Sequence, residues 1–120
     1  FKVINSIVTG YHDDEVVWTS PKNDEVCNFS FDHCVLRTEK MNTEDSLKFT
    51  NTIYENLKDT TQFGEKHFRL FDTDNLKYDF RLRKESAAIG VADTATSLPT
   101  DRRGVLRDDK PDAGCYEFDE

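Results

Sequence analysis

Residues 51–56 read NTIYEN, and whether they form helix or strand decides the fold. Within TEDSLKFTNTIYENL (43–57) a helix would take Thr43 as its N-cap and place Leu47, Tyr54 and Leu57 on one face. Against it, residues 49–54 are crowded with β-branched and aromatic side chains, which lose χ1 freedom in a helix and pack well on a pleated surface. The stretch also has two relatives in the chain, NSIVTG from Asn5 and DHCVLR from Asp32. Each opens on Asn or Asp, continues with a polar residue, and then carries apolar or aromatic residues. The steps between them are 27 and then 19 residues. Repeats of roughly 20–30 residues with one short strand per unit characterise solenoids, which tolerate uneven spacing because insertions become loops on one face. The strand reading is therefore preferred. It predicts an inward column of Ile7, Cys34 and Ile53, with Asn5, Asp32 and Asn51 at equivalent turns where their side chains satisfy local backbone groups.

Working outward, the charged stretches YHDDEVVWTSPKNDEV and RTEKMNTEDS read as loops projecting between these units, the first with Pro21 and a turn at Lys22-Asn23-Asp24. Trp18 and Tyr11 lie in the first loop. An exposed Trp there would stack on a sugar ring, and a packed one would staple the loop to the body. From residue 63 the pattern changes. HFRLF and YDFRL are strand candidates with Phe68, Leu70, Phe80 and Leu82 alternating. One continuous domain is expected, with projecting-loop units over 1–62 and a last unit plus closing segment over 63–120. The chain opens on Phe1-Lys2-Val3-Ile4, already strand-like, as though it were part of something longer.

The chain has 120 residues, of which 36% are hydrophobic, below the ~45–50% apolar content usual for soluble domains. That thin supply suits narrow layers better than a thick core. Sixteen basic against 24 acidic residues give a net charge of −8, which argues against nucleic-acid binding, since that needs cationic surface to displace counterions. It argues equally against docking on anionic lipid. No run of 18 apolar residues occurs, so nothing reads as a membrane-spanning helix. Cys27, Cys34 and Cys115 are odd in number and lack CxxC spacing. They read as free thiols behaving as small hydrophobes, with a Cys27–Cys34 bridge as the alternative.

The second half carries three motifs in order: Asp79-Phe80-Arg81-Leu82 followed by Ser86-Ala87-Ala88-Ile89-Gly90; then Thr100-Asp101, Gly104 and Arg107; and last Pro111-Asp112-Ala113-Gly114-Cys115-Tyr116-Glu117-Phe118. This resembles the C-terminal segment of bacterial right-handed parallel β-helix proteins, whose closing pattern runs SPAIG, TDxxGxxR, PDIGAYEF. The likeness covers residues 63–118, and the looser units upstream extend it over nearly the whole chain. Ala87, Ala113 and Cys115 depart from the pattern at the Pro, Ile and Ala positions. The resemblance implies an all-β fold, the terminal rungs of a right-handed parallel β-helix with a closing segment. It implies a secreted, periplasmic or surface-attached bacterial protein associated with glycans.

A solenoid end needs a polar outer face, because an uncovered rung offers unpaired backbone to other edges. Ser86, Gly90, Asp101, Gly104, Arg107, Asp112, Gly114 and Tyr116 are accordingly expected to be structural. Asp101 and Asp112 would cap turns, and the glycines would supply turn geometry. Arg107 would bridge to Asp101 or Asp112, and Tyr116 and Phe118 would alternate along a closing strand. No catalytic residue is assigned. For glycan binding the candidates are Trp18, Tyr11, Arg37 and Lys48. An alternative is a polysaccharide lyase or hydrolase, for which Asp32, His33, Arg37, Glu39 and Lys48 would have to converge on one face. A third reading is a homodimer formed through the uncovered strand at residues 1–8. No cofactor is required: Asp13-Asp14-Glu15 and Asp108-Asp109 have the charge for Ca²⁺ but not the spaced ligands of a calcium loop. His12, His33 and His67 are scattered, and GxGxxG, GxxxxGK[ST] and GxSxG are all absent.

Overall fold

The computed structural model describes residues 1–17, 28–40 and 48–120. Trp18, Pro21, the turn expected at Lys22-Asn23-Asp24, Cys27, and the helix positions Thr43 and Leu47 lie outside them. Three passes of the chain each contribute two very short strands: β1 (Lys2–Ile4) and β2 (Ile7–Val8), β3 (Ser30–Asp32) and β4 (Val35–Leu36), β5 (Phe49–Thr50) and β6 (Ile53–Tyr54). The strands stack in parallel as two three-stranded sheets, β1-β3-β5 and β2-β4-β6. NTIYEN is thus strand material, as its β-branched and aromatic content requires.

Between the two strands of each pass the backbone turns through a left-handed residue: Asn5 (φ 50°), His33 (φ 52°) and Asn51 (φ 49°). Asn and His are among the few non-glycine residues that enter this region readily. The recurring corner fixes the phase of the repeat. Ile7 stands beside Val35 and Val35 beside Ile53, while Val8, Leu36 and Tyr54 form the next column. The second unit is therefore HCVL from His33 rather than DHCV from Asp32, one residue later than the sequence alignment placed it. The inward column expected as Ile7, Cys34 and Ile53 is corrected to Ile7, Val35 and Ile53, of which Val35 is buried and Ile53, on the last strand of the stack, is exposed. A slip of one residue exchanges the two faces of a strand, so Cys34 packs with Leu36 on the opposite side from Val35.

The β2-β4-β6 sheet is covered on both faces at its central strand, β4. On one, Leu36 and Cys34 meet Val3, Val8, Val16, Phe29, Phe31 and Phe49. Phe31 and Phe49 stack with ring centroids 5.5 Å apart, one pass above the other. On the second face, Ile7 and Val35 meet Leu82, Ala88, Ala113, Val91 and Phe118. Fully burying one such aliphatic side chain is worth about 1.5–3 kcal/mol. Two thin cores replace one thick one.

After the third pass a 3-10 turn (Gly64–His67) leads into an antiparallel hairpin, β7 (Phe68–Asp72) and β8 (Lys77–Leu82). Asp72 closes its loop by accepting the Asn75 N–H at 3.0 Å. The register shifts between Phe68 and Leu70, and Phe71 pairs with Tyr78. That irregularity corrects the expected alternation: Phe71, not Leu70, shares a face with Phe68, Tyr78, Phe80 and Leu82. Asp79 and Arg81 occupy the other face, where the Arg81 guanidinium pulls the Asp79 carboxyl down to about 2.

The closing segment does not lie over the end beyond β6. It runs along the outer face of the second sheet back to the first pass, where the Gly114 N–H donates to Asn5 O at 2.8 Å. The Asn5 side chain accepts the Asp93 N–H and donates to the Thr96 hydroxyl. The segment holds no strand after Leu82, only an isolated bridge between Thr100 and Leu106. The closing strand expected at Tyr116 and Phe118 is thus corrected. Its backbone is satisfied by side chains: Glu117 N–H donates to Asp101, and Phe118 N–H to Asp112. Cys34 and Cys115 are free thiols, the first buried and the second exposed, and the alternative Cys27–Cys34 bridge falls on a residue outside the described ones.

Candidate functional site

The hairpin and the closing segment stand beside the first pass and leave a cleft of about 750 Å³ between them. Its inner wall is Ile7, Phe63, Phe68 and Leu82, continuous with the second core. Tyr11, Phe71, Phe80 and Tyr116 add aromatic surface, and Asn5, Ser6, Thr60, Asp59, Glu65 and Lys66 add polar groups. The aromatic wall follows from the hairpin's register. Tyr78 and Phe80, two apart on β8, hold their rings parallel, 2° apart with centroids at 5.7 Å. Phe71 meets Tyr78 edge-on at 5.3 Å, and Tyr11 meets Phe71 at 6.3 Å.

Behind this wall lies a buried polar chain. Arg37 Nη1 donates to Glu55 Oε2 at 2.9 Å and its Nε to His12 O at 2.8 Å. His67 Nε2 lies 2.9 Å from Glu55 Oε1, and His67 Nδ1 lies 2.8 Å from Ser86 Oγ. Ser86 Oγ also accepts the Ala88 N–H, and the two ring nitrogens of His67 bridge this hydroxyl to the Glu55 carboxylate. Burial alone would raise the Glu55 carboxyl, but the His67 and Arg37 hydrogen bonds outweigh it and hold the group below its ordinary value. The contact order Ser–His–Glu is that of a nucleophilic relay. Yet the His67 and Glu55 side chains are 0% exposed, and none of the three lines the cleft. A nucleophile sealed from substrate does no chemistry; this chain of bonds ties β6, the 3-10 turn and the turn at Ser86 together. Sequence reasoning assigned Ser86 a structural place but had no spacing signal for Glu55 or His67.

No family model, no curated protein and no solved structure matches the chain.

Of the glycan candidates, Tyr11 and Arg37 line the cleft, Lys48 does not, and Trp18 lies outside the described residues. Lys48 instead places its Nζ 4.4 Å from the centre of the Phe29 ring. The lyase candidates have different surroundings. Asp32 accepts from Thr50 and Asn51 and contacts His33 at 3.0 Å, whereas Arg37 is committed to Glu55 and His12. Glu39 is exposed. Among the described residues no three His, Cys, Asp or Glu side chains gather as a metal site. No helix there is long and apolar enough to cross a membrane.

The expected structural residues form a second constellation, built on three buried carboxylates. Asp101 accepts the N–H groups of Arg103 (2.7 Å), Val105 (3.0 Å) and Glu117 (3.1 Å). Burial opposes its ionisation, but these backbone donors and Arg103 hold its pKa below the ordinary value. Asp112 accepts from Gly90 (2.7 Å) and Phe118 (2.6 Å), yet burial, with the Glu117 and Asp108 charges nearby, pushes its carboxyl up. Arg107 departs from expectation. Its guanidinium pairs with Glu117 at 2.7 Å and donates to the Asp112 and Gly114 carbonyl oxygens, while Arg103 takes the Asp101 carboxylate. The backbone turns put Glu117 inside and leave Asp101 to the nearer arginine. The Arg103 guanidinium also lies over the Tyr116 ring at 5.6 Å.

Proposed function

We propose that this chain is a non-catalytic, structural end-piece of a right-handed parallel β-helix protein, secreted or surface-attached on a bacterium and associated with glycans. The observation that carries the structural part is the recurring left-handed corner at Asn5, His33 and Asn51, with the six strands β1 to β6 of the three passes in parallel register. That is how successive rungs of a coil stack, each burying what its neighbour leaves open. The non-catalytic part is supported by the buried ionisable groups at the Ser86 turn and in the closing segment, which are consumed in holding backbone together. Affinity electrophoresis through gels containing a panel of neutral and acidic polysaccharides tests the association. Retarded migration in at least one gel is expected, and unchanged migration in all of them removes glycan association from the reading.

One observation favours a second reading, self-association. β1 and β2 pair only with β3 and β4, so their outer edges have no strand partner among the described residues, and Phe1 beside them is 84% exposed. An uncovered parallel edge is a template for another chain. Light scattering on the eluting protein decides it: a mass twice 13.9 kDa supports pairing, and a monomer at millimolar concentration rejects it.

A further inference from the structure

We infer that the cleft between the 68–82 hairpin and the first pass is a saccharide site, and that it takes a neutral polysaccharide with one sugar ring laid against Phe80. The inference rests on the glycan-associated reading above and gives that reading a place and a chemistry.

Three observations converge on it. The first is the unspent aromatic face of the hairpin. Phe80 and Tyr78 are 44% and 42% exposed although they lie in a strand, and their rings are parallel. The opposite face of the hairpin is occupied by ion pairs, Asp79 with Arg81 and Arg69 with Asp119. Only the aromatic face turns toward the cleft, where Phe80 forms part of the wall. Flat rings with an apolar face suit the C–H faces of a pyranose, whose hydroxyls project from the rim to polar neighbours. Ser6, Thr60 and Tyr116 supply such neighbours around the same space.

Charge supplies the second. Each cation lining the cleft has an acid beside it: Arg37 is 2.9 Å from Glu55, and Lys66 is 3.5 Å from Glu65. Asp59 is acidic in addition, and the whole chain carries a net charge of −8. A polymer of uronates or sulfates would meet repulsion with no surplus cation to offset it, whereas an uncharged polymer meets none. Size is the third. A space of about 750 Å³ is within the roughly 300–1,000 Å³ typical of small-ligand sites, room for a few sugar units of a longer chain.

The test compares the wild-type protein with Phe80→Ala, Tyr11→Ala and Leu106→Ala in gels of neutral and acidic polysaccharides, with thermal melting of each variant alongside. Tyr11 is 71% exposed, so its removal probes the facing wall even where Phe80→Ala weakens the hairpin; Leu106, 75% exposed and outside the cleft, is the control. The expected result is retardation by a neutral polymer and not by acidic ones, an apparent affinity lowered roughly tenfold by Phe80→Ala or Tyr11→Ala, and no change with Leu106→Ala. Retardation by acidic polymers alone overturns the neutral assignment. Retardation that survives both cleft substitutions in folded protein overturns the location, leaving glycan association intact. An apolar dye held in the cleft and not displaced by a polymer that binds also overturns it, making the cleft an apolar-ligand site. Failure of every polymer to retard the wild type sinks the glycan reading itself and this inference with it.

Discussion

Asp112 and Glu55 are both buried carboxylates in hydrogen-bonded sites, yet their pKa values move in opposite directions. Asp112 has only two backbone donors, with Glu117 and Asp108 adding negative charge, so burial wins. Glu55 has an arginine and a histidine against it, so pairing wins. The stability consequences follow by linkage. Glu55, held below its unfolded value, stabilises the fold above roughly pH 4.3, and that contribution is lost as pH falls through the folded pKa. Asp112, held above its unfolded value, contributes fully below roughly pH 3.9 and loses that contribution as pH rises through its folded pKa. Glu55→Gln should cost about 2–3 kcal/mol at neutral pH, because it leaves the buried Arg37 guanidinium without its counter-charge and disturbs the hydrogen bond to His67, and the cost should shrink in acid. Asp112→Ala should cost about 1 kcal/mol at neutral pH, and the cost should grow in acid. Urea unfolding at about pH 7 and pH 3.5 measures both differences; parallel trends in the two variants would contradict these pKa directions. The Asp112 and Asp101 caps were legible in the sequence, since Asp near Gly in a turn has a defined backbone task. The Glu55–His67–Ser86 chain was not, because its members, 12 and 19 residues apart, meet only once the hairpin has folded back.

At the scale of elements, strand content was readable and register was not. Side-chain composition made residues 49–54 strand material, but DHCV and NSIV align equally well by residue type. The choice falls to the left-handed corner, which His33 occupies and Asp32 does not. Asp32 instead faces the next pass and accepts the Thr50 hydroxyl at 2.7 Å. In the hairpin the irregularity after Phe68 rotates Phe71 onto the aromatic face, a displacement of a kind that no period-2 pattern encodes. The closing segment makes its own prediction here. Gly114 has φ +102°, and an added Cβ would come within 3.3 Å of Ile7 Cδ1; Gly104 has φ +82° with open space around it. Gly104→Ala should cost about 1 kcal/mol from backbone strain alone, and Gly114→Ala more, since it also presses the closing segment off the first pass. Thermal melting of the two variants ranks them, and equal shifts would show that contact with Ile7 adds nothing.

Across the whole molecule, the closing segment lies along the flank of the passes, so both faces of the central strand β4 are buried in a chain poor in apolar residues. The arrangement explains how 120 residues with 36% hydrophobic content sustain a core: short strands serve two layers each. It also creates the cleft, which exists only because the hairpin and the segment stand apart where they meet the first pass. By itself the sequence determined the strand-forming stretches, the order of the closing motifs and the acidic surface, because these depend on local residue chemistry and on sums over residues. The tertiary structure alone decided the phase of the repeat, the partner of Arg107, the burial of the Ser86–His67–Glu55 chain and the gathering of Tyr11, Phe71 and Phe80 at one cleft. Each of these is settled by contact between residues distant in the chain, where packing and desolvation choose among pairings that local preference leaves equal.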